Sequence, residues 1–244
     1  MNIITIMNYA ESRYNYKAMC YIWLARVIKH APNANIIVYY ETHRPTAVDL
    51  FPKSNITVEK RSSKKRFGHH NLDFKLWNLS NTGLKEFLFL DADMYVIEDL
   101  EKLWKYRKDK PWIAVDHQWI PKHPDTHKKP FLNSGMQLVG DTSIYKYDAI
   151  IKSYKKGRTI PGMDQHALYN YFELMKYNYR HKDVGMEWNS CAAVGDIKKV
   201  DKDNFIGHTK GLKKNHPVYI NHYWWDYKPW KIGCPIHKHY KDLL

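Results

Sequence analysis

The stretch Phe87-Leu88-Phe89-Leu90-Asp91-Ala92-Asp93 most constrains what this chain can fold into. Four apolar residues in a row, bounded upstream by Asn81-Thr82-Gly83, predict a strand buried on both faces, the kind found in parallel sheets covered by helices. The strand runs straight into two carboxylates. If the extended backbone continues, Asp91 and Asp93 point the same way and Ala92 points away. Two like charges at the end of an apolar strand repel each other and lose hydration unless a cation, or a Lys or Arg, neutralises them. An isolated Asp-x-Asp is equally a solvated turn, so its meaning depends on what else the chain brings to the same place.

The 244 residues suffice for one large core, and no Pro/Gly/Ser-rich linker divides them. We therefore expect a single domain over residues 1–244. No apolar run reaches about 18 residues, and Met1-Asn2-Ile3 opens no signal-peptide pattern, so a soluble cytoplasmic protein without a membrane span is expected. Cys20, Cys191 and Cys234 are odd in number and far apart, which fits neither a disulfide framework nor a zinc site. A net charge of +14 calls for a polyanionic partner: nucleic acid, an anionic membrane surface or a phosphorylated small molecule. Only Lys60-Arg61-Ser62-Ser63-Lys64-Lys65-Arg66 is a tight basic run, read first as a solvated loop, next as a mobile loop near a diphosphate and last as a nucleic-acid patch. Nine Trp and nineteen Tyr exceed what a core of this size needs, and exposed ring faces suit sugars or bases.

In chain order, a short strand at 3–7, a helix at 16–30 and a strand at 36–40 make a β-α-β opening. That unit implies a parallel sheet with ligands at the carboxyl ends of its strands, and it puts Asn8 and Tyr9 where a nucleotide base could be held. A third strand at 56–58 and a helix at 72–79 precede the apolar strand. An extended piece at 94–97, a helix around Leu100-Leu103-Trp104 and a strand at 112–116 follow it. Residues 117–130 read as a loop over the site. The irregular spacing of His117, His123 and His127 there favours loop surface over metal binding. Asn133-Ser134-Gly135 stands at the mouth of the next apolar strand, where Gly admits a close backbone approach and Asn offers both a donor and an acceptor. Helices at 144–154 and from Pro161 through Phe172 come next, with Asp164 near the second one's start, then a short extended Glu187-Trp188-Asn189. Near the end, a β-rich run delivers His222, and Pro229 and Trp230 hold Lys228 six residues later. A His and a Lys in an aromatic turn make a plausible clamp for a metal-bound diphosphate.

Taken together, these pieces resemble the GT-A glycosyltransferases of the glycogenin and bacterial lipopolysaccharide galactosyltransferase family, family 8. Phe74-Lys75-Leu76-Trp77-Asn78-Leu79 is similar to that family's Lys-x-x-x-Leu helix, and Leu90-Asp91-Ala92-Asp93 to its Leu-Asp-Ala-Asp. Residues 131–135 resemble its Phe-Asn-x-Gly strand, Asp164-Gln165 its Asp-Gln, and Trp188-Asn189 its Trp-Asn. His222 with Lys228-Pro229-Trp230 resembles its closing His and Lys-Pro-Trp. The series spans residues 74 to 230 in order. It departs from the pattern at Thr5 to Tyr9, at Gly162-Met163, and at Tyr223-Trp224-Trp225, where relatives commonly carry small residues.

The resemblance implies a single Rossmann-like α/β domain with a mainly parallel sheet. It also implies transfer of a sugar from a UDP-sugar to a glycan hydroxyl with retention. On this pattern Asp91, Asp93 and His222 hold Mn2+, or Mg2+ as a weaker substitute. Asn8, Tyr9, Lys75, Asp91, Asn133, Ser134, Gly135 and Lys228 hold the donor. Asp164 and Gln165 are the catalytic pair, with Asp164 on the sugar hydroxyls and Gln165 near the far face of the anomeric carbon. Trp188, Asn189 and Trp224 are expected at the acceptor. No carboxylate is evidently placed as a covalent nucleophile, so front-face substitution is the expected route. The chain ends soon after Lys-Pro-Trp, which suggests a minimal catalytic domain, with peripheral contact to an anionic membrane left open. The competing class is a nucleic-acid-binding or metal-dependent nucleic-acid-processing protein, suggested by the charge and the Asp-x-Asp. No nucleic-acid motif or third paired carboxylate supports it, so no nucleic-acid partner is expected.

Overall fold

The computed structural model describes residues 1–8, 16–116, 132–154, 163–191, 195–199, 205–209 and 218–222. Strand β1 (Asn2–Ile6), helix α1 (Tyr16–His30), β2 (Asn35–Tyr40) and β3 (Ile56–Lys60) form the expected parallel opening. A π-helical segment (Asn71–Leu76) continues as α2 (Trp77–Ser80), and β4 (Phe87–Leu90) enters the sheet parallel to β1. Then come β5 (Met94–Val96), α3 (Glu101–Trp104), β6 (Trp112–Asp116), β7 (Leu132–Val139), α4 (Tyr147–Tyr154) and α5 (Met163–Leu174). The remaining described strands are β8 (Ser190–Cys191), the antiparallel pair β9 (Gly195–Lys199) and β10 (Phe205–Thr209), and β11 (Ile220–His222).

The main sheet runs β3-β2-β1-β4-β7-β6, with β7 antiparallel to both of its neighbours. Alternation along its central strands splits the core in two. Ile3, Ile36, Val38, Leu88 and Leu90 face α1, where they meet Trp23, Leu24 and Val27. Ile4, Ile37, Phe87 and Phe89 face the opposite layer, where they meet Phe74, Leu76, Ile150, Leu168 and Phe172. Each of these large side chains contributes about 1.5–3 kcal/mol by leaving water. That is why Phe87 to Leu90 is apolar at every position: β4 lies inside the sheet with a layer on each side. The expected α/β sheet flanked by helices is therefore what the chain forms.

Two irregularities aim residues at the carboxyl edge. Between β6 and β7 the pairing steps from Ala114↔Gln137 to Val115↔Asn133, so Ser134, Gly135 and Met136 bulge from the ladder. A second, three-stranded sheet, β5-β11-β8, pairs His222 with Met94 on one side and with Cys191 on the other. It carries a residue from late in the chain back to the end of β4. Where an extended segment was expected, Met186–Asn189 forms a 3-10 turn. No helix among the described residues is long and apolar enough to cross a membrane.

Candidate active site

β4 ends at Leu90, and the chain turns at once: the Met94 N–H donates to the Asp91 carbonyl, closing a tight turn around Ala92 and Asp93. Asp91 and Asp93 do share a side, but this turn brings them together rather than strand alternation. Both face His222. Its Nε2 lies 3.2 Å from Asp93 Oδ1 and 3.8 Å from Asp91 Oδ2, and one ligand atom from each of the three residues lies within 4.8 Å of the others.

Gly135, in the β7 bulge, packs under the imidazole. A Cβ there would fall 2.4 Å from His222 Cε1 and 2.9 Å from the Met94 methyl, so no larger residue fits without moving the ring. The Gly135 carbonyl accepts the Asp91 N–H at 2.9 Å, which fastens the bulge to the turn.

Beside this trio lies a second cluster. Lys75 is 5% exposed, and its ammonium donates to Asp164 Oδ2 at 2.8 Å and Asp91 Oδ1 at 3.0 Å while lying over the Phe89 ring. Asp164 also accepts the Ser134 hydroxyl at 2.7 Å and the Asn71 amide at 3.3 Å. Ser134 makes three further bonds, two of them to the helical layer and one within its own strand. Its N–H donates to Gln165 Oε1, and its carbonyl accepts Gln137 Nε2 at 2.9 Å and Lys75 Nζ at 3.4 Å.

The π-helical segment buries five consecutive residues, Leu72 to Leu76, and so turns Lys75 inward. Asp73 anchors its entrance, accepting the N–H groups of Phe67, Gly68 and His69.

The electrostatics of the two clusters differ. Burial alone would lower the Lys75 pKa, but the charges of Asp164 and Asp91 outweigh it and hold the ammonium well above its ordinary value. Burial pushes the Asp164 carboxyl up, yet Lys75's charge and the bonds from Lys75 and Ser134 bring it below the usual carboxylate range. Asp91 goes the other way. Burial raises its pKa and the neighbouring Asp93 charge adds to that, against the pull of Lys75 and His222. Two carboxylates and an imidazole facing one point are the hard-oxygen and nitrogen donor set that a divalent transition metal prefers. The residues present fit such an ion.

The other expected site residues sit as follows. Asn8, just beyond β1, accepts the Glu41 and Thr42 N–H groups through its side-chain oxygen, bracing the carboxyl end of β2. Asn133 is buried, and its Oδ1 accepts both the Gly135 N–H and the Asn189 amide. Asn189 is 2% exposed, and its oxygen faces His222 Nδ1 at 3.0 Å. Trp188 is buried against Tyr219 and belongs to the core beneath α1. Tyr9, Trp224 and Lys228 lie outside the described residues, as do His117, His123 and His127. Part of the basic run folds back: Arg61 lies over the Tyr39 ring, Lys64 over Trp77, and Arg66 meets Asp148 at 3.3 Å. Sequence reasoning missed Asn71 and Gln137, which hold Asp164 and Ser134 in place. Gln137 left a signal, as the one amide inside the apolar run 136–139.

The sequence matches no protein-family model and none of the curated proteins. Among solved structures, the chain is similar to the galactosyltransferase LgtC in complex with donor and acceptor sugar analogs. The two are 15% identical, over 100% of this chain and 95% of that one, with a TM-score of 0.65. The chain has the GT-A fold. The GT-A glycosyltransferase GlyE from Streptococcus pneumoniae, in apo form, is 13% identical over 100% of this chain and 60% of its own, with a TM-score of 0.65. Mouse xyloside xylosyltransferase 1 is 12% identical over 91% and 97%, with a TM-score of 0.59. At such identities the likeness speaks for the GT-A fold, and the chemistry must be argued from the site.

Proposed function

We propose that this chain is a glycosyltransferase catalytic domain that moves a sugar from a UDP-sugar to a glycan hydroxyl, with retention, using Mn2+. The observation that carries the reading is the convergence of Asp91, Asp93 and His222 at the end of β4, at the edge where a sheet of this type binds ligands. When bound there, the ion supplies Lewis-acid stabilisation of the charge that grows on the leaving diphosphate.

The chain's own residues do the rest. The bulge at Gly135 seats the imidazole against the strand beside Asp91, so that the trio faces the space where the donor's phosphates would lie. Asn133 has its oxygen committed to two donors, so its amide N–H2 is the end available to a sugar hydroxyl. Asp164 and Gln165 border the same space, and Lys75 keeps Asp164 ionised and in place. Asp164 already accepts from Lys75, Ser134 and Asn71, which suits an orienting group better than a covalent nucleophile. In the front-face route, the bond from the anomeric carbon to the diphosphate oxygen breaks and its electron pair leaves with UDP. The acceptor oxygen bonds to the same face, and its proton passes to the departing phosphate oxygen. Trp188 and Asn189 act from behind the site rather than by touching the acceptor.

A panel of UDP-sugars tested for UDP release with and without Mn2+ checks the proposal. Release that requires Mn2+, with thermal stabilisation by UDP-sugar plus Mn2+ and none by duplex DNA, is expected. Undiminished release in chelator would overturn the metal role, and stabilisation by DNA alone would overturn the substrate class.

A further inference from the structure

The buried amides behind the metal-site candidates form a directional chain whose orientation follows from one backbone group. The Gly135 N–H can only donate, so the Asn133 atom 2.9 Å away must be its oxygen. That oxygen also faces the Asn189 amide at 3.0 Å, so Asn189 must present its nitrogen there. Its oxygen is then the atom 3.0 Å from His222 Nδ1, and only a protonated Nδ1 satisfies it. A neutral imidazole protonated at Nδ1 carries its lone pair on Nε2. Nε2 is the atom that faces Asp91 and Asp93. Gly135 underneath sets the plane of the ring, and the amide chain sets which nitrogen holds the proton.

We propose that Asn133 and Asn189 are positioning residues: they lock His222 as the Nδ1–H tautomer and so reserve Nε2 for a divalent cation. Asn189 grips the ring directly. Asn133 acts one step back, because without its oxygen the Asn189 amide can turn over, present N–H2 to Nδ1 and stabilise the Nε2–H tautomer, which cannot ligate. The proposal rests on the metal reading given above. It adds a reason why Asn189, though buried, has to be an oxygen acceptor on the side facing His222.

The test uses the whole chain and Mn2+ alone, titrated by electron paramagnetic resonance of the free ion. Asn189→Leu and Asn133→Leu should each weaken Mn2+ binding by about 10–100-fold, the range for losing an outer partner of a ligating histidine. Asn189→Asp keeps an oxygen toward Nδ1 but sets its other oxygen against the Asn133 oxygen that Gly135 holds in place, so this single variant should bind Mn2+ more weakly than the double variant. The deciding variant is the double Asn133→Leu/Asn189→Asp. A carboxylate shows oxygen whichever way it turns, so the double should recover the affinity that Asn133→Leu loses. A packing defect would not be rescued in this way. In Mg2+-saturated protein labelled with nitrogen-15 histidine, His222 Nδ1 should carry the proton in wild type and in the double.

Leucine variants that bind Mn2+ like wild type, or a double variant no better than Asn133→Leu, would overturn the tautomer lock while leaving the metal site standing. Wild-type protein that binds no Mn2+ would overturn the metal reading and the lock with it.

Discussion

Two clusters lie side by side at the end of β4, and they are built on opposite terms. Lys75, Asp164, Ser134 and Asn71 satisfy one another: the buried ammonium faces buried carboxylate, and the remaining oxygens accept neutral donors. Asp91, Asp93 and His222 face one another with two carboxylate oxygens and an imidazole nitrogen, and burial keeps Asp91's carboxyl above its ordinary range. The first cluster is complete as the chain folds. The second sets two carboxylates against one imidazole, and Asp91 belongs to both, with Oδ1 on Lys75 and Oδ2 toward His222. The difference lies in the partners: Asp164 meets an ammonium and neutral donors, while Asp91 meets the same ammonium on one oxygen and the Asp93–His222 pair on the other.

If the clusters divide in this way, removing a member of the second should damage activity and spare the fold. Asp93→Ala is expected to lower Mn2+-dependent UDP release by about a thousandfold, roughly 4 kcal/mol of transition-state stabilisation. The melting temperature of the metal-free protein should barely move. A large loss of metal-free stability would merge the two clusters into one structural unit.

The reverse holds for Lys75. Lys75→Met leaves Asp164 buried with neutral donors only, which costs about 3–5 kcal/mol, or about 10 °C in a chain of this length. Because the folded-state pKa of Asp164 lies below its unfolded value, its pairing contributes stability above the ordinary carboxylate range and loses it as pH falls through the depressed value. The gap between wild type and Lys75→Met is therefore widest near neutral pH and narrows as pH falls through about 4. Thermal melts at a series of pH values would show it, and a gap that widened in acid would contradict the assignment.

Gly135→Ala tests the boundary between the clusters. Its new Cβ meets the imidazole at 2.4 Å, so either the ring or the bulge must shift, at about 1–3 kcal/mol. Calorimetry should show weaker Mn2+ binding. Unchanged affinity would mean that His222 is not held against the bulge.

The second cluster and the scaffold were legible in the sequence to different degrees. Apolar runs such as Phe87 to Leu90 and Trp112 to Val115 announced the sheet, because a strand covered on both faces has to be apolar throughout. Asp91 and Asp93 stood out as a pair of carboxylates after an apolar strand, but joining His222 to them rested on the resemblance to family 8, since residue type alone left a solvated turn and a structural histidine open. What could not be read was how non-neighbours are aimed. The bulge at 134–136 depends on pairing between β6 and β7, and the π-helical turn that points Lys75 inward has no periodicity of its own. The 3-10 turn at 186–189, expected to be extended, places Asn189 against a histidine 33 residues later. No local pattern encodes such a contact.

The smallest expected effect is also the one that decides where Asp91 belongs. Burial raises the Asp91 carboxyl, so keeping it charged in the folded protein costs stability that is absent below the ordinary carboxylate range and grows as pH rises through the raised value. Asp91→Asn removes that cost, while its side-chain oxygen can still accept Lys75, and Lys75 keeps Asp164 as its counter-charge. The metal-free melting temperature at neutral pH should then rise by about 2–4 °C, the shift for roughly 1 kcal/mol in a chain of this size, and the further rise that Mn2+ gives wild type should vanish. A variant both more stable and inactive is the signature of a residue held at a cost for ligation. A lower melting temperature would instead assign Asp91 to the Lys75 cluster, because the ammonium would then need both carboxylates, and the ion would have to be carried mainly by Asp93 and His222.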